Sequence, residues 1–287
     1  IVDFDGNPLT SSDQFVRVQL ARDPNPGLKW EEKTEINVGF DYGFFDNKLT
    51  GSIEYYTRNI DDLLYGVNLP SGAPNPFGAG VNNIANFAWA NIGSIRSAGF
   101  EFSATYNGLK FGGITYTPSF NFTLYDKATI ESFKVGDLGP SEIRLSTPGS
   151  PGQNNNEIIR NKPGETLGNM YGPVFQGIDE NGSYVLSTTN PDEFQVVGNG
   201  LPDGEFGFTN DFRFKNWDVN FLLRGAWGHD LYNSYRGFYE NRDAASKTWN
   251  SVVTDKTPFV TQSPTFSSLY VEDASFIRLD NFTVGYN

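Results

Sequence analysis

The chain has no cysteine, one histidine and one methionine among its 287 residues. Without cysteine there are no disulfides and no thiolate metal sites, so stability does not rest on covalent cross-links. The lone histidine, His229 in "AWGHDLYN", rules out H-E-x-x-H zinc sites and any cluster of histidine ligands. A Ser-His-Asp triad would have to use it, yet no G-x-S-x-G elbow is present. Phosphate and dinucleotide cradles of the G-x-x-x-x-G-K-[ST] and strand-linked G-x-G-x-x-G kinds are missing as well. Acid pairs such as Asp61-Asp62 and Asp179-Glu180 are expected by chance among 34 acids and read as solvated loop charges. No enzyme, catalytic residue, metal set or cofactor is therefore expected. Positive charge is scarce too: the net charge is -13 with no basic run, which excludes nucleic acid as a partner. No run of 18 apolar residues exists, so no helix crosses a membrane. The chain opens on Ile1 without a signal-peptide pattern, the expectation for a processed or truncated polypeptide.

Aromatics are plentiful, at 15% with 25 Phe and 14 Tyr, and these residues favour strands. Period-two alternation predicts six strands over 33–44, 49–58, 99–106, 114–124, 205–215 and 217–227, with a seventh at about 276–286. Most are near the ten residues that a tilted transmembrane strand needs. The stretch 39–58, "GFDYGFFDNKLTGSIEYYTR", shows the pattern: Phe40, Tyr42, Phe44, Leu49, Ile53 and Tyr55 lie on one face, and Asp41, Ser52, Glu54 and Arg58 on the other. Over the six strands, the apolar face carries no charge and the opposite face carries twelve, so the register is strongly specified. On the polar face only Tyr56, Leu222 and Ala226 are apolar. The Ala/Asn-rich stretch 82–91 is read as a short helix.

Alternation by itself fits either a soluble sandwich or a membrane barrel. The connections decide between them. Phe45–Lys48, Asn107–Gly113 and Lys215–Asn216 are short, whereas 59–98, 125–204 and 228–275 are long, so all long loops leave one end of the sheet. Outer-membrane barrels alternate in this way, and compact soluble domains seldom carry such loops. Tyr42, Phe44, Phe45, Tyr106 and Trp217 sit near the short turns. Tyr55, Tyr56, Tyr125 and Trp227 sit near the long-loop ends, as two interfacial aromatic bands would require. The apolar face then meets lipid, and the polar face lines a lumen. A strand edge cannot stay open in lipid. With seven strands, and "FTVGYN" ending inside one, the expectation is part of a larger barrel.

Several blocks carry a family resemblance. "PNPGLKWEEKTEINVGFDYGFFDNKLTGSIEYYTRNIDDLL" (25–64), "NIGSIRSAGFEFSATYN" (91–107), "GNMYGPVFQGID" (168–179), "GFTNDFRFKNWDVNFLLRGAWGHDLYN" (207–233) and "SSLYVEDASFIRLDNFTVGYN" (267–287) resemble the late barrel region of SusC-like (RagA-like) TonB-dependent transporters. The "LKWE" and "ASFIRLDNFTVGY" blocks are the specific ones. The resemblance implies an all-β segment of a 22-stranded antiparallel transmembrane barrel in a bacterial (Bacteroidota) outer membrane. It also implies import of oligosaccharides or peptides, a SusD-like surface lipoprotein as lid, and energy from a TonB complex. Residues 1–287 would be a partial barrel domain, lacking the plug, the TonB box and the last strands, so TonB coupling would use regions outside this stretch. A barrel serving as a docking platform for surface lipoproteins or secretion machinery is the alternative.

Candidate contacts for substrate or partner are the loop aromatics Tyr65, Trp89, Tyr171, Phe175, Tyr232, Tyr235, Phe238 and Tyr239, with His229 beside them. Aromatic faces with convergent polar groups commonly hold sugars and peptides. "DENGSYV" (179–185) and "LPDGEFG" (201–207) look like calcium-loop fragments, but neither matches the EF-hand pattern and both read as glycine-containing turns. Arg278 and Asp280 break the face rule in the seventh strand. Either a bulge near Asn281 shifts the register or the pair lies above the lipid belt.

Overall fold

The computed structural model describes residues 21–78, 80–133, 140–150, 153, 156–240, 251–257 and 260–287. Seven long strands form one antiparallel sheet in chain order: β1 Glu32–Phe44, β2 Leu49–Asn68, β3 Phe87–Tyr106, β4 Ile114–Ser132, β5 Gly204–Phe214, β6 Trp217–Trp227 and β7 Phe276–Tyr286. The short segment Leu109–Phe111 pairs with the start of β4 inside the β3–β4 hairpin. All seven expected strands are present, and the first six keep the expected faces.

Two rows across the sheet show what that register does. One runs Phe40, Ile53, Phe102, Phe122, Phe206, Gly225 and Ile277. The next, one residue along, runs Asp41, Ser52, Ser103, Asn121, Gly207, Arg224 and Arg278. Directly opposed residues in an antiparallel ladder share a face, so the sheet separates into an apolar and a polar surface. On the apolar side Phe120 has the rings of Phe102, Phe122, Phe206 and Phe208 around it at 6.1–6.4 Å. Tyr116 stacks on Phe212 at 4.3 Å. Near the short turns Trp217 packs edge-on against Tyr286 at 4.8 Å. Phe40 is 64% exposed and Ile277 73% exposed. These exposures leave the apolar face open among the described residues, as a lipid-facing surface would be.

The polar face satisfies itself sideways. Ser52 and Ser103 hydroxyls lie 2.9 Å apart, Thr105 and Ser119 2.8 Å, and Asn220 donates to Asp211 at 2.6 Å. Arg58 pairs with Glu35 at 3.0 Å. One glycine is required by close approach: at Gly51 a Cβ would lie 1.9 Å from the Ser103 carbonyl oxygen and 2.4 Å from the Tyr42 hydroxyl. The Tyr42 ring crosses that gap to donate to the Ser103 carbonyl at 2.7 Å.

A bulge accounts for the irregular seventh strand. Leu222 pairs with Asn281 but Leu223 with Leu279, so Asp280 is the extra residue. Beyond it the parity inverts. Ile277 and Leu279 fall on the apolar face, while Arg278 falls opposite Arg224. Like charges directly opposed destabilise a ladder. Asp280 relieves them, with Oδ1 at 2.9 Å from Arg278 and 3.2 Å from Arg224.

Three strands are longer than the alternation predicts. β2 continues to Asn68, β3 begins at Phe87 and β4 continues to Ser132. A strand of 20 residues spans roughly 65 Å, well beyond an apolar band of about 25 Å. Register shifts at Ile60/Leu63, Ser94/Ile95 and Arg96/Ala98 break the period there while the backbone pairing goes on. The helix expected over 82–91 is absent: 87–91 is strand, and pairing with β2 takes up its backbone donors.

Arginine placed on the apolar face near the belt centre should cost about 2–4 kcal/mol. Phe40→Arg and Phe120→Arg should therefore lower the yield of folded, heat-modifiable barrel on gels, and Asp41→Asn should leave it unchanged. Equal yields for all three would contradict the face assignment.

Candidate functional site at the long-loop end

The second and third long connections fold together beyond the sheet. In the second, short strands at Ile143–Leu145, Ile159–Asn161, Asn169–Gly172 and Gln195–Asn199 make a four-stranded sheet. The hairpin Phe175–Ile178 with Tyr184–Leu186 comes after the third of these. In the third connection, Asp230–Tyr232 pairs with Val271–Asp273 and a short helix spans Ser234–Tyr239.

Contacts between connections are specific. Ser268 N–H donates to the Pro173 carbonyl at 3.1 Å, Phe175 N–H to Ser268 Oγ at 3.0 Å, and Asn199 N–H to Asp230 at 3.0 Å. The Tyr184 and Tyr270 hydroxyls lie 2.9 Å apart. Burial, then the bond to Tyr184, raises the Tyr270 phenol above its ordinary pKa. Phe266 is buried against the Gly172 backbone, where a Cβ would lie 2.6 Å from its ring.

A charged knot holds the third connection. Arg236 contacts Glu240 at 2.8 Å, Glu272 at 2.6 Å and the Leu269 carbonyl at 2.8 Å. Glu240 is 1% exposed and also accepts from Thr254 at 2.7 Å. Hydrogen bonds from Asn233 and Arg236 hold the Glu272 carboxyl below the usual glutamate range.

The nine sequence candidates scatter over this body. Tyr65 packs against the core of Ile130, Phe133 and Ile143. Tyr171 is buried and its hydroxyl donates to Glu165. Phe175 packs edge-on against Tyr184 at 6.3 Å. Tyr232 donates to Gln153 at 2.7 Å, lies 2.9 Å from Ser150 Oγ and packs on Phe266. His229 is half-buried, and its carbonyl accepts from Ala274 N–H at 2.9 Å. Trp89 is exposed on β3, with Phe87 edge-on and Arg22 over its ring at 5.6 Å. Only Tyr235, Phe238 and Tyr239 form one aromatic patch. Tyr235 is 77% exposed and its ring is near-parallel to that of Tyr239 at 6.4 Å, one helical turn away. Phe238 meets Tyr239 edge-on at 5.1 Å. Of the two calcium-like stretches, the first opens on a turn in which Asp179 accepts from Asn181 and Ser183 N–H at 2.9 and 2.8 Å, whereas the second is not a turn throughout, because β5 begins at Gly204.

A further cleft of about 360 Å³ lies where the sheet meets the loops, lined by Tyr56, Arg58, Tyr125, Lys127, Leu201 and Pro202. None of these was a sequence candidate. The available signal was Tyr56, an aromatic standing on the polar face. Its ring covers Gly99, and Arg58 lies over it at 5.1 Å.

Comparison with known proteins gives a consistent placement. Residues 6–148 match a family model described as TonB dependent receptor-like, beta-barrel. The chain is 28% identical over 309 aligned positions to TonB-dependent receptor P3 of Formosa agariphila, covering 97% of this chain and 29% of that protein. It is 28% identical over 282 positions to TonB-dependent receptor SusC of Bacteroides thetaiotaomicron, covering 92% of this chain and 26% of that one. It also superposes on the RagAB peptide importer in its open-open state with a TM-score of 0.71 at 22% identity, covering 98% of this chain and 30% of that one. The structural likeness shows the fold. The chain spans less than a third of the length of these relatives.

Removing a partner from a buried ion pair typically costs about 3–5 kcal/mol. Glu240→Ala should accordingly raise hydrogen exchange and proteolysis across 230–240, and Tyr235→Ala should not. Acid should loosen the same knot. The stability contributed by Glu272 is complete above its ordinary value of 4.5 and is lost as pH falls through its lowered value. Exchange across Val271–Asp273 that stays flat on acidification would contradict this.

Proposed function

Because the chain belongs to the β-barrels of TonB-dependent receptors, we propose that it is part of the wall and outer mouth of a SusC-type nutrient importer. The barrel is an outer-membrane structure and the chain is not an enzyme. The cargo is an oligosaccharide or peptide, handed over by a SusD-like lipoprotein seated on the loop body, with TonB coupling through the plug region. In this reading further strands of that larger protein pair the edges of β1 and β7, which have no second partner strand among the described residues.

The observation that carries this reading is the two-faced sheet. Its apolar side fits lipid, its charged side fits a watery passage, all three long connections leave the same end, and the second and third fold into one body there. The names of relatives lend support: one is called SusC and another is part of a peptide importer. In this reading the Tyr235–Tyr239 patch is the outward contact for lid or cargo. The Tyr56–Arg58–Tyr125–Lys127 cleft is the first contact on the inner wall.

The test uses the intact receptor in its own cell. Deleting 125–204 should abolish co-purification of a surface lipoprotein and also uptake of a labelled glycan or peptide pool. Loss of the lipoprotein with uptake unchanged would favour the docking-platform role. Tyr56→Ala should reduce uptake several-fold while leaving barrel assembly at the wild-type level. Unchanged uptake would remove the cleft from the pathway.

A further inference from the structure

Arg160 is 4% exposed and its Nε is fully buried without an acceptor. Among the described residues no carboxylate lies within ion-pair distance of it and no hydrogen bond from its guanidinium is formed. Two rings clasp it: the guanidinium carbon is 5.4 Å from the centre of Tyr171 and 5.3 Å from that of Phe194. Directly across the ladder stands Arg144. Lys162, just past the end of that strand, meets the same ring, with its Nζ 4.1 Å from the Tyr171 ring centre. Arg144 has Glu142 and Asp192 as partners, and Lys162 has Glu142 at 3.8 Å. Arg160 has no such carboxylate among the described residues.

In a chain of net charge -13, two directly opposed arginines with a lysine at the same tyrosine ring are unexpected. Opposed like charges weaken a ladder, and a buried guanidinium without acceptors is costlier still. Burial, then the neighbouring Arg144, disfavours the charged form of Arg160. The two ring faces offset part of this cost, but they leave the Nε–H without an acceptor. A bound oxyanion would change that. It would accept from the guanidinium fork in bidentate fashion, and the flanking rings already hold the fork in one plane.

We propose that Arg160, clasped by Tyr171 and Phe194 and backed by Arg144, is a preformed receptor for an oxyanion group, carboxylate or sulfate, carried by the cargo. This rests on the importer reading and narrows its cargo to acidic glycans.

The test is calorimetric titration of the intact receptor in detergent with four probes: a triuronate, a sulfated trisaccharide, the neutral trisaccharide and sodium sulfate. The wild type should bind at least one acidic trisaccharide about ten-fold or more tighter than the neutral one, the scale of a charge-assisted hydrogen bond. Arg160→Met should reduce that preference to within about two-fold. It should also leave hydrogen exchange over Asn169–Gly172 and Gln195–Asn199 no faster, since it removes an unpaired buried charge. Equal wild-type affinity for acidic and neutral probes would overturn the proposal, and so would a preference that survives Arg160→Met. Faster exchange in Arg160→Met would make the residue a structural cation–π rivet. Sulfate alone binding as tightly as the sulfated trisaccharide would mean a free-ion site and no cargo contact. Uptake by a receptor-deletion strain separates the two failures. Unchanged uptake there sinks the importer reading itself, whereas lost uptake with a neutral Arg160→Met sinks only the oxyanion site.

Discussion

The structure depends on one requirement: inside a bilayer every backbone N–H and C=O must be paired within protein. An antiparallel sheet meets it strand by strand, and the side chains are then left to match two different solvents. The rows Phe40 to Ile277 and Asp41 to Arg278 sit one residue apart along the same seven strands. A one-residue slip anywhere would exchange them, placing Asp41 or Arg224 in lipid and Phe102 in water. The register is held by both faces at once, because the error is penalised on each.

The bulge at Asp280 shows how strict the requirement is. An extra residue inverts parity, and the neighbouring residues on either side of it suit the inversion. Ile277 and Leu279 still reach the belt, Arg278 still reaches the wet face, and the bulged carboxylate lies between two opposed arginines. Above the belt the requirement lapses. β2 and β3 shift register between Ile60 and Leu64, and β3 and β4 between Ser94 and Ala98, while the pairing goes on. Water can serve either face there, so irregularity costs little.

The loop body obeys different physics. It is held as a soluble domain is, by a small apolar core around Phe266 and Tyr270, by the Arg236–Glu240–Glu272 knot and by hydroxyl pairs such as Tyr184 with Tyr270. Half of the aromatics that mark these loops in sequence are spent on this internal work. Tyr65, Tyr171 and Tyr232 hold connections together, and the patch of Tyr235, Phe238 and Tyr239 faces outward. Arg160 stands apart because the same packing encloses its charge and gives its Nε no acceptor.

The sequence by itself determined the seven strands, their faces, the end from which the long loops emerge and the family, because lipid on one side and water on the other write a period of two into every strand. It also marked Arg278 and Asp280 as a break in that period, but not which of two causes lay behind it; the pairing of Leu222 and Leu223 decided for the bulge. Only the tertiary structure decided which loop aromatics are buried, that 87–91 extends a strand, and that Tyr56, Arg58, Tyr125 and Lys127 meet in one cleft. Those outcomes rest on contacts between segments far apart in the chain, such as Tyr232 with Gln153 or Phe175 with Ser268. Contacts of that kind have no period, so local reading along the chain does not register them.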